Sequence, residues 1–167
     1  MALMDDMAIA LGLEPGALVP DGGRGVSSFT TTGVAKDNTG KRYFYKKGSG
    51  TADAAMLKAE YEGVKAMSDT KTIRVPEPLA FGAPKTYASG PFVIFEHLSI
   101  SGGGDGAEMG SKLAAMHRIT SDNGKFGFHI DNTIGATPQC NAWEDTWSDF
   151  FIKVSGSKTR SDEALES

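Results

Sequence analysis

Two charged residues, Lys46 and Glu60, occupy positions at which a charged side chain needs a partner. Lys46 follows the run Tyr43-Phe44-Tyr45, and because side chains alternate along a strand, it shares a largely covered face with Phe44. Glu60 stands among apolar residues on one face of the next helical segment, where a carboxylate is costly unless it is paired. A lysine held by such a carboxylate is suited to bind nucleotide phosphates. We therefore expect the two to pair, although Glu60 alone is as well explained as an edge residue that reaches solvent.

The segment before the Lys46 strand is rich in glycine and serine, with Gly22, Gly23 and Gly25 followed by Ser27 and Ser28. Glycine-rich turns let backbone N–H groups approach an anion closely, which predicts a phosphate-binding turn. The chain contains neither G-x-x-x-x-G-K-[ST] nor a complete G-x-G-x-x-G, so a Walker A loop and a Rossmann fingerprint are excluded. Taken alone, the segment is more typical of an ordinary hairpin than of a phosphate-binding turn.

A strand followed directly by a helix is the unit that must position Lys46 and Glu60. Turn residues at 37–40 precede the strand, and residues 51–67 have helical periodicity, with Thr51 or Asp53 as the cap. Because such a helix can fold back on the strand, the ammonium and the carboxylate can meet beside the glycine turn.

The remaining pattern predicts an α+β chain. A short helix over 5–13 comes first, and the apolar run 90–98 reads as a buried strand that ends in Glu96-His97-Leu98. A helix over 105–118 follows, and then a strongly amphipathic helix from about Asn141. Its stripe consists of Trp143, Trp147, Phe150, Phe151 and Val154.

Composition limits the class of protein. The chain has 167 residues, enough for one domain or for one lobe and part of a second. A net charge of −4 argues against a general nucleic-acid binder. The single cysteine excludes an intrachain disulfide and a cysteine-based zinc site. The acidic start and the lack of an apolar run of membrane-spanning length favour a cytoplasmic protein without a membrane partner.

Motifs in a fixed order carry a resemblance to a known family. They are the glycine turn, Phe44-Tyr45-Lys46, Glu60, Val75-Pro76-Glu77-Pro78, Phe92 to Leu98, Leu113 to His117, Lys125 to His129, and Pro138-Gln139 followed by Asn141, Trp143, Trp147 and Phe150-Phe151. The series, roughly from Gly22 to Phe151, resembles the N-terminal part of the fructosamine kinase family, the ketosamine 3-kinases that include protein-ribulosamine 3-kinases. That family is similar to aminoglycoside phosphotransferases and protein kinases. The last two blocks are the most specific, since generic kinases lack them.

The resemblance implies a protein-kinase-like N-lobe, an antiparallel sheet plus helix C, over residues 1–98. The first helices of the C-lobe would follow over 99–154, and a disordered polar tail over 155–167. It also implies that Lys46 contacts phosphate, that Glu60 is its partner, and that Glu96, His97 and Leu98 hold adenine. The activity implied is ATP- and Mg²⁺-dependent phosphorylation of the sugar of a ketosamine, either small or attached to a glycated protein, in deglycation repair.

Two departures from the family pattern shape the expectation. Val26-Ser27-Ser28 stand where relatives often carry a cysteine linked to redox-sensitive dimerisation, so that switch is not expected. Kinases of this type also need a loop Asp as base and Asn and Asp ligands for magnesium. The His-Gly-Asp loop is absent, and His117-Arg118-Ile119 lacks the acid and falls too early. We expect a partial kinase that is inactive alone, with the base and the magnesium ligands downstream.

One alternative belongs to a different functional class. The chain would then be a non-catalytic nucleotide- or partner-binding module that docks through the Trp143/Phe150 stripe. A plain structural domain would require the ordered motif matches to be chance.

Overall fold

The structure is a computed structural model that describes residues 2–23, 25–26, 30–83, 86, 89–100, 102–135 and 137–163, with backbone only for Val26 and 156–163. The chain divides into two compact units, 1–116 and 117–167. The predicted lobe boundary at 98/99 differs from this division and stays a prediction. Unit 1 contains α1 (Ala2–Ala10), β1 (Leu18–Pro20), β2 (Gly25–Val26), β3 (Thr31–Asp37), β4 (Arg42–Lys47), α2 (Thr51–Asp69), β5 (Pro78–Gly82), β6 (Phe92–Glu96) and α3 (Gly106–His117, which ends at the boundary). Unit 2 contains β7 (Asn132–Ile134), β8 (Thr137–Gln139) and α4 (Trp147–Glu163).

The strands of unit 1 form one antiparallel sheet in the order β1-β3-β4-β6-β5, with β2 also paired to β3. This confirms the predicted α+β class and the predicted sheet with a helix beside it. None of the described helices is long and apolar enough to cross a membrane.

Successive side chains of β4 point to opposite faces of the sheet, so its aromatic residues contribute to two separate apolar clusters. Tyr43 and Tyr45 belong to the cluster that contains Met7 of α1, whereas Phe44 packs with Leu57 of α2 on the other face. Met7 and Leu57 are fully buried, and each such side chain contributes about 1.5–3 kcal/mol relative to exposure. The sheet is therefore covered by α1 on one face and by α2 on the other.

The turn between β3 and β4 is organised by one carboxylate. Asp37 accepts hydrogen bonds from the backbone N–H groups of Thr39 and Lys41 at 2.9 and 3.0 Å, and from the Tyr43 hydroxyl at 2.8 Å. The Thr39 hydroxyl donates to it as well, at 2.6 Å. Led by the Thr39 hydroxyl, these donors lower the pKa of Asp37 to about 2. Burial and the Asp37 carboxylate raise the pKa of Tyr43 to about 12.

The N-cap of helix α2 lies one residue before Thr51, the first of the two predicted cap residues. Gly50 is the N-cap, and Asp53 in the first turn accepts the N–H groups of Ser49 and Gly50 at 2.7 and 3.3 Å. Glycine at the cap has no side chain to bind the first free N–H groups of the helix, so the capping carboxylate reaches back from inside the first turn. Both predicted cap residues therefore lie inside the helix: Thr51 is its first residue, and Asp53 supports the cap from the first turn.

Two of the family-specific blocks interlock in unit 2. Phe126 and Glu144 exchange backbone hydrogen bonds of 2.9 and 2.8 Å, and the Phe128 N–H donates to Asn141 O at 2.8 Å. Gly127 lies so close to this segment that an added Cβ would stand 2.9 Å from Asn141 O. These residues therefore form a compact backbone-bonded structure, in which a side chain at 127 has no room.

The last helix starts later than predicted. Helix α4 begins at Trp147, because Thr146 caps it by accepting the Asp149 N–H at 3.2 Å and because Glu144 is bonded to Phe126. The prediction that Trp143 belongs to the helical stripe is therefore wrong. At its other end α4 is described to Glu163 and overlaps the stretch 155–167 that we predicted to be a disordered tail.

Candidate functional site

The Lys46 ammonium and the Glu60 carboxylate form an ion pair. Lys46 Nζ lies 2.6 Å from Glu60 Oε1, and the two side chains are 29% and 31% exposed. β4 presents the lysine on the face that α2 covers, and α2 presents the glutamate toward it. The predicted pairing is present, while its role toward a phosphate stays a prediction. An ammonium has three N–H donors, so the bond to Glu60 leaves donors for an anionic ligand.

A row of residues across the sheet places a glycine near this pair. Gly25 pairs with Thr32, Thr32 with Lys46, and Lys46 with Val93. Directly opposed residues of antiparallel strands point to the same face, so the row lies on the face of Val93, which packs with α2. An added Cβ on Gly25 would lie 2.6 Å from Thr32 Oγ1. Glycine at position 25 leaves room for the Thr32 hydroxyl, which donates to the Gly25 carbonyl oxygen at 3.2 Å.

Helix α2 covers part of this face. The apolar cluster under α2 draws its described strand residues from β4, β5 and β6, with none from β2 or β3. Lys46 therefore stands at the margin between a packed apolar region and the part of the sheet that carries Thr32 and Gly25. A ligand on that part of the face would lie beside the Lys46 ammonium, which Glu60 holds in place.

Gly22 and Gly23 lie in a bulge between β1 and β2. The Asp21 N–H donates to Val34 O at 2.8 Å, and the Val34 N–H donates to Gly22 O at 3.0 Å. Both glycines have positive φ values, +91° and +68°, which a glycine adopts without strain. They therefore bend the first strand, and their predicted contact with phosphate stays a prediction. Ser27 and Ser28, also predicted to bind phosphate, lie outside the described residues.

Sequence reasoning missed the residue that anchors this bulge. Asp21 forms ion pairs with Lys36 at 3.0 Å and with Arg42 at 2.7 Å. The hydrogen bond from Lys36 is the main reason that the pKa of Asp21 is lowered. An acid directly before two glycines was the available signal, but the pairing depends on the register of β3 and β4.

The predicted adenine segment begins at the end of β6. The Glu96 carboxylate accepts a hydrogen bond from Arg74 Nη2 at 2.5 Å, while His97 and Leu98 follow the strand and are partly buried. Glu96 pairs with Tyr43, whose side chain lies in the α1 cluster. The Glu96 side chain therefore points away from the face of Lys46. The contact of these three residues with adenine stays a prediction.

The expected position of the catalytic base and the magnesium ligands, downstream of this chain, stays a prediction. Within the described ranges, no three His, Cys, Asp or Glu side chains come together as a metal site would need. His129-Ile130-Asp131 does supply an acid two residues after a histidine, but Asp131 Oδ1 accepts the Asn141 N–H at 2.7 Å. That carboxylate therefore binds the backbone of the interlocked loops of unit 2.

Comparison with known proteins adds three findings. The family model described as fructosamine kinase matches residues 27–155. The chain is 41% identical over 109 residues to the chloroplastic protein-ribulosamine 3-kinase of Arabidopsis thaliana, covering 65% of this chain and 33% of that protein. It is 39% identical over 116 residues to a "probable ketoamine kinase" of Synechocystis sp., covering 68% of this chain and 38% of that protein.

A solved structure supports the fold. The crystal structure of a fructosamine-3-kinase candidate from Thermobifida fusca superposes with a TM-score of 0.72 at 22% identity, covering 92% of this chain and 50% of that one. The chain thus spans about half the length of this structure and about a third of the length of the curated relatives it matches.

Proposed function

Since this chain belongs to the fructosamine kinase family, we propose that residues 1–98 are the nucleotide-binding lobe of a ketosamine 3-kinase. The observation that carries the proposal is the ion pair of 2.6 Å between Lys46 and Glu60. In kinases a lysine of the sheet, held by a glutamate of the following helix, contacts the phosphates of ATP. Residues 99–154 would begin the second lobe, and α4 continues from there to Glu163, into the stretch 155–167 that was predicted to be a disordered tail.

The chain's own residues have a defined task in this reaction. Lys46 would donate to phosphate oxygens with the N–H groups that Glu60 leaves free, and Gly25 would let backbone approach the same anion. The complete enzyme would move the terminal phosphoryl group of ATP to a sugar hydroxyl of the ketosamine and release ADP. ATP with Mg²⁺, and a glycated protein or a small ketosamine, are the proposed partners. A cytoplasmic location stays a prediction, and the Arabidopsis relative is named as chloroplastic.

Titration with ATP tests the nucleotide site. We expect the 167-residue chain to bind ATP and Lys46→Ala to bind it about tenfold or more weakly, because a charge-assisted contact to phosphate is lost. Lys65→Ala is the matched control, since Lys65 forms an exposed ion pair with Asp69 on the same helix as Glu60. Equal affinity of the Lys46→Ala variant and the parent chain would refute a phosphate role for Lys46.

A turnover assay tests the second part of the proposal. We expect no MgATP-dependent phosphorylation of a fructosamine by this chain alone, because the His-Gly-Asp loop is absent from its sequence. Detection of the phosphorylated sugar would show that the chain supplies its own base.

One observation favours the alternative, a non-catalytic partner-binding module. Trp147, Phe151 and Ile152 of α4 are 57%, 56% and 68% exposed. This surface differs from the predicted stripe, because Trp143 and Phe150 are partly buried. A chain that binds no ATP would favour this alternative over the kinase lobe.

A further inference from the structure

Glu96, the last residue of β6, is held by the segment that precedes β5. Arg74 Nη2 donates to Glu96 Oε1 at 2.5 Å, and the Glu77 N–H donates to Glu96 Oε2 at 3.2 Å. In the opposite direction, the Glu96 N–H donates to the Glu77 carbonyl oxygen at 2.8 Å. We call Arg74, Glu77 and Glu96 the Arg74 bracket. It joins residues 22 positions apart in sequence at the point where the chain leaves the sheet.

The segment that supplies Arg74 is itself restrained. Arg74 Nη1 donates to Val75 O at 2.5 Å, which leaves the guanidinium little freedom to turn. Pro76 and Pro78 fix two φ angles, and Pro78 begins β5. The bracket therefore connects a stiff segment to the end of β6, and it differs in this respect from an ion pair between two mobile side chains.

Each carboxylate oxygen of Glu96 accepts a hydrogen bond within the Arg74 bracket. The hydrogen bond from Arg74 is the main cause that lowers the pKa of the Glu96 carboxyl, and the same bond raises the pKa of the Arg74 guanidinium. The Glu96 side chain also lies on the α1 side of the sheet, opposite to Lys46. Any effect of Glu96 on a ligand beside Lys46 must therefore pass through the backbone that follows it.

The phosphate end and the base end of the proposed nucleotide site lie at different positions along β6. Lys46 pairs with Val93, three residues before Glu96. At a rise of about 3.3 Å per residue, the bracket lies about 10 Å from the lysine's row along the strand. This separation suits the terminal phosphates and the base of one nucleotide.

We propose that Arg74 is a positioning residue for the nucleotide base, because it anchors Glu96 and thereby fixes the start of His97-Leu98. The inference rests on the proposed nucleotide-binding function. In this arrangement the Lys46–Glu60 pair orients the phosphates, and the Arg74 bracket sets the backbone that meets the base.

Binding of two different ligands to the full chain distinguishes the phosphate role of Lys46 from the base-positioning role of Arg74. ATP reports on both ends of the site, whereas inorganic tripolyphosphate reports on the phosphate end alone. For Arg74→Ala we expect ATP to bind about fivefold more weakly, the scale of one partly exposed ion pair, with unchanged affinity for tripolyphosphate. Lys46→Ala should weaken both ligands. Arg74→Lys keeps the charge but loses the second donor, and should fall between Arg74→Ala and the parent.

A second measurement uses GTP, which carries the same phosphates on a different base. We expect Arg74→Ala to bring the ratio of ATP to GTP affinity closer to one, whereas Lys65→Ala, which removes another exposed ion pair, should leave the ratio unchanged. Melting temperatures of all variants show whether folding is affected. A purely structural role would lower the melting temperature and weaken all three ligands in parallel.

The outcomes are distinguishable. Unchanged ATP affinity in Arg74→Ala, or equal losses for ATP, GTP and tripolyphosphate, would overturn the role of Arg74 and leave the nucleotide site standing. Failure of the parent chain to bind any of the three ligands would overturn the proposed function, and the role of Arg74 with it.

Discussion

Helices α2 and α4 carry similar apolar stripes, but the stripe of α2 is buried against the sheet and much of the stripe of α4 is exposed. In α2, Leu57 is fully buried and Tyr61 packs against the sheet, so the helix is fixed over β5 and β6. In α4, which packs on β8, Trp147 and Phe151 remain more than half exposed. Amphipathic periodicity alone does not bury a helix, because burial also needs an apolar surface of matching size. Unit 1 is therefore held by its core, whereas unit 2 depends more on backbone bonding between its loops.

The chain offers a separate spectroscopic signal for each unit. Both tryptophans, Trp143 and Trp147, lie in unit 2, and all four tyrosines, Tyr43, Tyr45, Tyr61 and Tyr87, lie in unit 1. Selectively excited tryptophan thus follows unit 2, and tyrosine absorbance follows unit 1. Transitions that do not coincide would show that unfolding is not two-state.

The largest effect should come from the core under α2. We expect Leu57→Ala to lower the free energy of unfolding of unit 1 by about 2–5 kcal/mol, since it removes buried methyl groups and leaves a cavity. Phe151→Ala removes a larger but exposed side chain and should change the stability of unit 2 by about 0.5 kcal/mol or less. Urea titrations with the two signals measure both. A larger loss for Phe151→Ala would mean that the stripe of α4 is covered.

The contribution of the backbone contacts in unit 2 can be tested at Gly127, which lies directly against them. We expect Gly127→Ala to destabilise unit 2 by about 1–3 kcal/mol, because the new Cβ would meet the backbone at Asn141 O and at Trp143 Cα, each at 2.9 Å. Gly124→Ala is the control, since φ is also positive there but nothing lies within 4 Å. It should cost about 1 kcal/mol. Equal losses at the two glycines would show that the interlocked loops can move apart.

The smallest effect concerns the polar turn of unit 1, whose contribution to stability is fully present at neutral pH and is lost only at the two extremes of pH. The pKa of Asp37 is lowered to about 2, so its contribution is present above the unfolded value near 4 and is lost as pH falls toward 2. The pKa of Tyr43 is raised to about 12, so stability should also fall as pH rises from 10 toward 12. Thermal melts followed by tyrosine absorbance measure both limbs. Asp37→Asn should flatten the acid limb, and an unchanged limb would place the acid sensitivity elsewhere.

Several features of the site followed from local pattern. Alternation along Tyr43 to Lys46 placed the aromatic rings correctly on the two faces, because the period of a strand is two wherever it lies. The apolar face of α2 identified Glu60 as a carboxylate in need of a partner. The start of α4 was not predictable in this way, because Trp143 fits a helical spacing but precedes Glu144, which is held in an extended bridge by Phe126.

The sequence by itself determined the fold class and the family resemblance, and it identified Lys46 and Glu60 as an expected pair, which the structure shows. These depend on short-range periodicity and on residues in consecutive elements. Only the tertiary structure decided that Gly22 and Gly23 form a bulge, that Asp21 anchors it, and that Arg74 holds Glu96. Each of these depends on the register between strands or on a contact between distant segments, and chain periodicity does not specify either one.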